Sequence, residues 1–230
     1  MKIWLPTDWI RAAYYDRIYS LVHEMDWPFG ILSILEWAEC EGIIPKIIEE
    51  FRPGNKLKLA PFPRYDVQEF YHDFWGSYDV VVLDQVLEHV PDFHKAIENC
   101  VQYLRPFGYL FIGAPWQYPY HAAPQDYWRI SVDGYRLLFE KYGLEEVEIS
   151  GWGHQEALIY GHQVDAFLSA GFCSDCYEPK RGDPNKPCAY CGNTQWTNGR
   201  TVVMAEEAGL FDIESDTDHA IEIWAVGRKR

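Results

Sequence analysis

Positive charge is what this chain has least of: 20 Lys and Arg stand against 35 Asp and Glu, a formal net charge of -15 over 230 residues. A surface that neutralises phosphates needs clustered cations, so neither a nucleic acid nor an anionic membrane is an expected partner. The one visible cationic cluster, Gly227-Arg228-Lys229-Arg230, reads as a solvated tail. No apolar run approaches the ~20 residues that span a bilayer. Met1 to Trp9 lacks the basic, apolar, small-residue order of a secretion signal, so the expected compartment is cytoplasmic. There is no internal repeat, and the lack of any G-x-G-x-x-G run argues against a dinucleotide oxidoreductase.

Cysteine is sparse but patterned. Six cysteines in a reducing compartment are expected to be metal ligands or core residues rather than disulfides. Cys173, Cys176, Cys188 and Cys191 form a C-x2-C, x11, C-x2-C array. Two residues between thiols let one tight turn aim both sulfurs at a single ion, and four thiolates complete the tetrahedral shell of structural zinc, with iron or a redox dithiol as the alternatives. Such a closed shell leaves no position for a reacting water, so the knuckle is expected to staple a polar loop. Cys40 and Cys100 are expected to be buried and unreactive.

The rest of the chain alternates strand and helix patterns. Residues 8–25 read as a helix with Tyr14, Ile18, Leu21 and Val22 on one face; Ile31 to Trp37 reads as a strand, Gly42 to Phe51 as a helix and Lys56 to Leu59 as a strand. Tyr78 to Asp84 carries four consecutive apolar residues, the mark of a strand buried on both faces of a parallel sheet. A helix from Pro91 to Leu104 follows, then a strand from Tyr109 to Ala114 and an aromatic loop to Trp128. Val132 to Tyr142 reads as a helix, Leu144 to Ser150 as a strand, Gln155 to Ala170 as a helix and Ala220 to Val226 as a last strand. This order predicts an α/β domain of residues 1–150 and 219–230, interrupted by an insertion at 151–218 that holds the knuckle (173–191).

Tyr78-Asp79-Val80-Val81-Val82-Leu83-Asp84-Gln85-Val86-Leu87-Glu88-His89-Val90 resembles the fourth motif of class I S-adenosylmethionine-dependent methyltransferases. Leu104 to Ile112 is similar to that family's turn before its fifth strand, and Pro119 to Arg129 to a loop of its small-molecule and sugar branch. The resemblance covers roughly residues 31 to 150 and the last strand. It implies a Rossmann-like methyltransferase sheet, mostly parallel with the last strand antiparallel, and helices on both faces; the cysteine spacing adds a zinc-knuckle insertion before the last strand. The resemblance also implies S-adenosylmethionine as cofactor, beside the zinc inferred from the cysteines.

In the family the first strand ends in an acid followed by three alternating glycines. Here Glu36 takes the acidic position and Gly42 that of the last glycine, while Ala38 and Cys40 replace the first two. Cys40 then sets a side chain where backbone is expected to face the cofactor. Pro61 stands where an acid would accept the ribose hydroxyls, and Asp66 is the nearby substitute. The implied cofactor-binding residues are therefore Glu36, Ala38, Cys40, Gly42, Asp66, Asp84 and Gln85.

In the aromatic loop, His121 is the candidate base because its pKa lies near neutral; Asp126 would orient it, and Arg129 would hold an anionic substrate group or pair with Asp126. The alternative is that the three only brace the loop. His89 is expected to pack or cap near the pocket. Two functions follow. One is a methyltransferase acting on a small polar acceptor such as a sugar or nucleotide-sugar. The other is a catalytically lapsed methyltransferase-like scaffold with impaired cofactor binding, whose aromatic loop and knuckle would meet a protein partner.

Overall fold

The computed structural model describes residues 9–122, 124–163, 172–173, 196–197 and 219–230. The helices are α1 (Trp9–Glu24), α2 (Ile43–Phe51), α3 (Phe93–Tyr103), α4 (Val132–Tyr142) and α5 (Gln155–Gln163). The strands are β1 (Ser33–Glu36), β2 (Lys56–Leu59), β3 (Tyr78–Asp84), β4 (Leu104–Pro115), β5 (Leu144–Trp152), β6 (Phe172–Cys173), β7 (Trp196–Thr197) and β8 (Glu222–Lys229).

Six strands form one sheet in the order β2-β1-β3-β4-β8-β5. β1 runs parallel to β2 and β3, and β3 parallel to β4, while β8 is antiparallel to both β4 and β5. Alternate side chains of the same strands feed two cores. Ile34, Val80, Val82, Phe111 and Trp224 pack under α1 and α2, whose Tyr14, Ile18, Leu21, Val22, Ile44, Ile47 and Ile48 are buried with them. Leu35, Val81, Leu83, Ile112 and Ala225 pack on the opposite face with Ala96, Ile97 and Cys100 of α3 and Tyr135, Leu138 and Phe139 of α4. Each such aliphatic side chain contributes ~1.5–3 kcal/mol through burial. The unbroken apolar run of β3 is the result of serving both cores.

Local chemistry sets the helix ends. The Asp92 carboxylate accepts from Lys95 N at 3.0 Å, so α3 begins after Pro91 rather than on it. Ser131 Oγ accepts from Gly134 N at 3.1 Å, and Gly143 closes α4 with φ +69°. β4 starts at Leu104, five residues before the predicted Tyr109, with a register shift against β3 between Tyr78 and Val80. β5 continues to Trp152, and Ala157 of α5 lies in the first core.

Cys173 stands opposite Trp196 in a separate antiparallel pair, β6 with β7. Cys176, Cys188 and Cys191 lie outside the described residues, as does the helix expected over 164–170. Cys100 is buried as expected, whereas Cys40 is exposed, because it falls in the loop between β1 and α2 rather than in an element with a core face.

Candidate functional site

The chain passes from β1 to β2 on one side and then crosses back to β3 on the other, so the strand order reverses at β1. In open α/β sheets the crevice beyond the C-terminal strand ends at such a point is where ligands sit. A cleft of about 390 Å³ lies there, within the range of small-ligand sites. Its walls come from the residues after β1 (Trp37, Ala38, Glu39), after β2 (Ala60, Phe62, Asp66, Gln68) and after β3 (Gln85, Val86, His89). The loop after β4 closes it with Pro124, Gln125 and Tyr127.

The loop from β1 to α2 is held by one buried acid. Glu36 Oε2 accepts from Gly42 N at 3.0 Å, and a Cβ at Gly42 would collide with Glu36 Oε1. Burial pushes the Glu36 carboxyl up to about 7, against the lowering effect of the Gly42 amide. Of the residues predicted for the cofactor, Ala38, Asp66 and Gln85 line the cleft. Glu36 and Gly42 support it from behind, and Cys40 and Pro61 are not among its walls. Cys40 therefore leaves the cleft open. Asp66 is shaped by its own turn, its Oδ1 accepting from Gln68 N at 2.9 Å, while Gln68 Oε1 accepts from Asp92 N.

Gln85 marks the boundary between the cleft and a second, charged region. It takes φ +57°, a left-handed conformation that costs a side-chain-bearing residue ~1 kcal/mol, and its N donates to Gly113 O at 2.8 Å. Its side-chain amide reaches across β4 to donate to Glu222 Oε1 at the start of β8. Asp84 beside it accepts from Tyr15 OH of α1 at 2.6 Å. Glu88, in the 3-10 turn Leu87–His89, completes a group of three carboxylates. Glu222 and Glu88 are each 1% exposed. Burial raises Glu88 to about 7, Glu222 well above the carboxylate range, and Asp84 upward as well; repulsion from Asp84 adds to Glu88 and Glu222, while the Tyr15 hydroxyl and the Arg11 charge pull Asp84 back down.

The aromatic loop folds onto this group. Tyr127 N donates to Glu88 O at 2.7 Å and Trp128 Nε1 to Val90 O at 2.9 Å. The predicted trio is brought together. Arg129 grips Asp126 through Nη1–Oδ1 at 2.5 Å and Nη2–Oδ2 at 2.8 Å, which holds the carboxyl down at about 2. Asp126 Oδ2 accepts from His121 N at 2.9 Å and stands 3.3 Å from His121 Nδ1. Desolvation lowers the His121 pKa, so the imidazole stays neutral near pH 7. Its Nε2 lies 4.0 Å from Glu88 Oε1. His89 packs beside it, ring centroids 5.0 Å apart, and its Nδ1 meets Gln125 O at 2.5 Å.

Sequence reasoning missed Glu88 and Glu222 as site residues. Glu88 was visible only as part of a fold motif. Glu222, flanked by Ile221 and Ile223, had one legible signal: an acid inside an otherwise apolar strand.

A family model described as a methyltransferase domain matches residues 36–149. No curated protein sequence matches the chain. Among solved structures, it is similar to phosphoethanolamine N-methyltransferase 2 of Haemonchus contortus in complex with S-adenosyl-L-methionine. That match has 13% identity and a TM-score of 0.52, covering 96% of this chain and 55% of that one. It is similar to 1,6-didemethyltoxoflavin-N1-methyltransferase of Burkholderia thailandensis at 11% identity and a TM-score of 0.51, covering 94% and 78%. A SAM-dependent methyltransferase of Archaeoglobus fulgidus matches at 12% identity and a TM-score of 0.49, covering 95% and 94%. At these identities the likeness concerns the fold.

Proposed function

We propose that the chain, whose residues 36–149 match a methyltransferase-domain model, is a class I S-adenosylmethionine-dependent methyltransferase that transfers a methyl group to a small polar acceptor such as a sugar or nucleotide-sugar. The observation that carries this reading is the open cleft at the strand-order reversal, bordered on one side by a buried cluster able to handle a proton.

The cleft fits the cofactor. The cradle between Glu36 and Gly42 holds backbone where a Cβ would intrude, and Cys40 stays outside. Asp66 and Gln68 offer polar atoms at the wall nearest β2, where a ribose or base edge would lie, and Gln85 faces the reacting end. S-adenosylmethionine supplies an electrophilic methyl carbon when bound, and methyl transfer from it needs chiefly alignment with the nucleophile and the leaving sulfur. His121 then accepts the acceptor's proton at Nε2. The Pro119 carbonyl, 3.4 Å from Nδ1, fixes the Nδ1–H tautomer with ionised Asp126 3.3 Å away, and Arg129 keeps Asp126 ionised and in place. Tyr120, Tyr127 and Trp128 leave amphipathic rings exposed on the same loop for the acceptor.

One observation favours the lapsed scaffold: β2 ends at Leu59 and is followed by Ala60-Pro61, with no carboxylate for the ribose hydroxyls. Calorimetric titration with S-adenosylmethionine and S-adenosylhomocysteine separates the two, and no heat at millimolar ligand would overturn the enzyme reading. The zinc knuckle of Cys173, Cys176, Cys188 and Cys191 rests on thiol spacing. Less than half an equivalent of tightly bound zinc or iron in protein never exposed to chelator would remove it.

A further inference from the structure

We propose a second metal site, distinct from the cysteine knuckle, in which Glu88, His89 and His121 bind one divalent first-row transition ion at the acceptor side of the cleft.

Three independent features meet here. The first is geometry. One carboxylate oxygen of Glu88 and one ring nitrogen each of His89 and His121 lie within 4.8 Å of one another. Glu88 Oε1 is 3.6 Å from His89 Nε2 and 4.0 Å from His121 Nε2. Donors bound at ~2.1 Å in a tetrahedral shell are about 3.4 Å apart, so closing the site needs side-chain shifts of well under ~2 Å. The second is an unanswered group. The Glu88 side chain is 0% exposed, and no donor from another described residue reaches either carboxylate oxygen. A buried carboxylate with no donor costs several kcal/mol, and a bound cation removes that cost.

The third is the outer shell. A metal-ligating imidazole nearly always gives its other N–H to a carbonyl or carboxylate, which fixes the tautomer and leaves the ligating lone pair free. His89 Nδ1 meets Gln125 O at 2.5 Å, and His121 Nδ1 meets Pro119 O at 3.4 Å with Asp126 Oδ2, itself clamped by Arg129, 3.3 Å away. Both Nε2 atoms are thus left for the side on which Glu88 lies. Two imidazoles and one carboxylate suit zinc, iron(II) or cobalt(II) with coordination positions left open. His89 also lines the cofactor cleft, so an ion held here borders the place where the acceptor meets the methyl group. The site stands without the methyl-transfer reading; only the use of the ion rests on it. With the ion bound, the His121 lone pair is engaged, and the ion rather than the imidazole would acidify an acceptor hydroxyl.

The test adds cobalt(II) to full-length protein whose knuckle has first been loaded with zinc. Wild type should take up one further equivalent with weak d–d absorption and no new thiolate charge-transfer band. The same ion should broaden and shift two histidine ring signals. Glu88→Gln and His121→Ala should each weaken uptake at least tenfold, and Asp126→Asn less. No further equivalent at millimolar cobalt would overturn the proposal; so would uptake by Glu88→Gln within twofold of wild type, or paramagnetic effects confined to other histidines. The histidine signals keep the test decisive in wild type should a variant fail to fold. S-adenosylmethionine calorimetry on the same samples separates the two readings: cofactor binding without extra cobalt sinks the metal site alone, and the reverse sinks the methyl-transfer reading alone.

Discussion

On the β2–β1 side of the strand edge, the cleft is lined chiefly by apolar groups, Trp37, Ala38, Ala60 and Phe62, with polar atoms from Glu39, Asp66 and Gln68. On the β4–β8 side the same edge is made of charged side chains, with Asp84, Glu88 and Glu222 under a loop pinned by Asp126 and Arg129. The first wall absorbs substitution because what it offers a ligand is shape and amide groups. Ala38 and Cys40 can stand where the family has glycine, since Cys40 turns outward and the Glu36–Gly42 bond fixes the loop by itself. The second wall absorbs little, because Asp84, Glu222 and Asp126 are each held by one particular partner, Tyr15, Gln85 and Arg129, and Glu88 is buried with no donor on its carboxylate.

The largest effect expected from this contrast is on the charged side. Arg129→Ala leaves Asp126, whose side chain is 2% exposed, without its counter-ion, and should cost ~3 kcal/mol in urea unfolding at pH 7. A loss below ~1 kcal/mol would mean that water replaces the arginine freely and that the two walls are not different in kind.

The next tests whether the cleft side carries any charge penalty of its own. Glu36 has its folded pKa raised from 4.5 to about 7 by burial, so the folded state binds more protons than the unfolded chain between those values. The stability it contributes is full below about pH 4.5 and is lost as pH rises through about 7. Glu36→Gln keeps an acceptor for Gly42 N and abolishes that titration. It should flatten the pH dependence of stability between pH 5 and pH 8 by up to ~3 kcal/mol. An unchanged slope would place the Glu36 carboxylate in solvent.

Gly42→Ala should follow, weakening S-adenosylmethionine binding about tenfold, or ~1.4 kcal/mol, because the added Cβ displaces Glu36 Oε1 from a buried position. Calorimetry showing less than a twofold change would detach the loop from the cofactor. The smallest effect belongs to the missing glycines. Ala38→Gly should tighten binding by ~threefold, since Ala38 lines the cleft, and Cys40→Gly should change it less than ~twofold. A large gain from Cys40→Gly would mean that Cys40 turns inward when the cofactor binds.

The elements were legible wherever period and burial agree. Tyr78 to Asp84, Lys56 to Leu59 and Val132 to Tyr142 fall where the pattern puts them, because each segment's apolar residues are spaced for the core they enter. The starts of α3 and β4 were not legible to the residue. Asp92 competes with Pro91 for the helix start, and strand pairing carries β4 back to Leu104 through Pro106 and an exposed Phe107 at φ +66°. His121, Asp126 and Arg129 were readable because nine residues of one loop hold all three.

What the sequence by itself determined is the α/β order, the likeness of residues 78–90 to a methyltransferase motif, the trio of the aromatic loop, and the thiol spacing of the knuckle. Each is a local pattern, set by periodicity or by spacing within a few residues. Only the tertiary structure decided that Cys40 leaves the cleft, that Glu36 holds Gly42, and that Tyr15, Asp84, Gln85, Glu88 and Glu222 converge at one strand edge. Tyr15 and Asp84 are 69 positions apart, and Gln85 and Glu222 are 137 apart. The charge state of a carboxylate depends on the water and the neighbours around it. For these acids both were fixed by the return of α1 and β8 to the sheet, which is a property of packing and not of spacing.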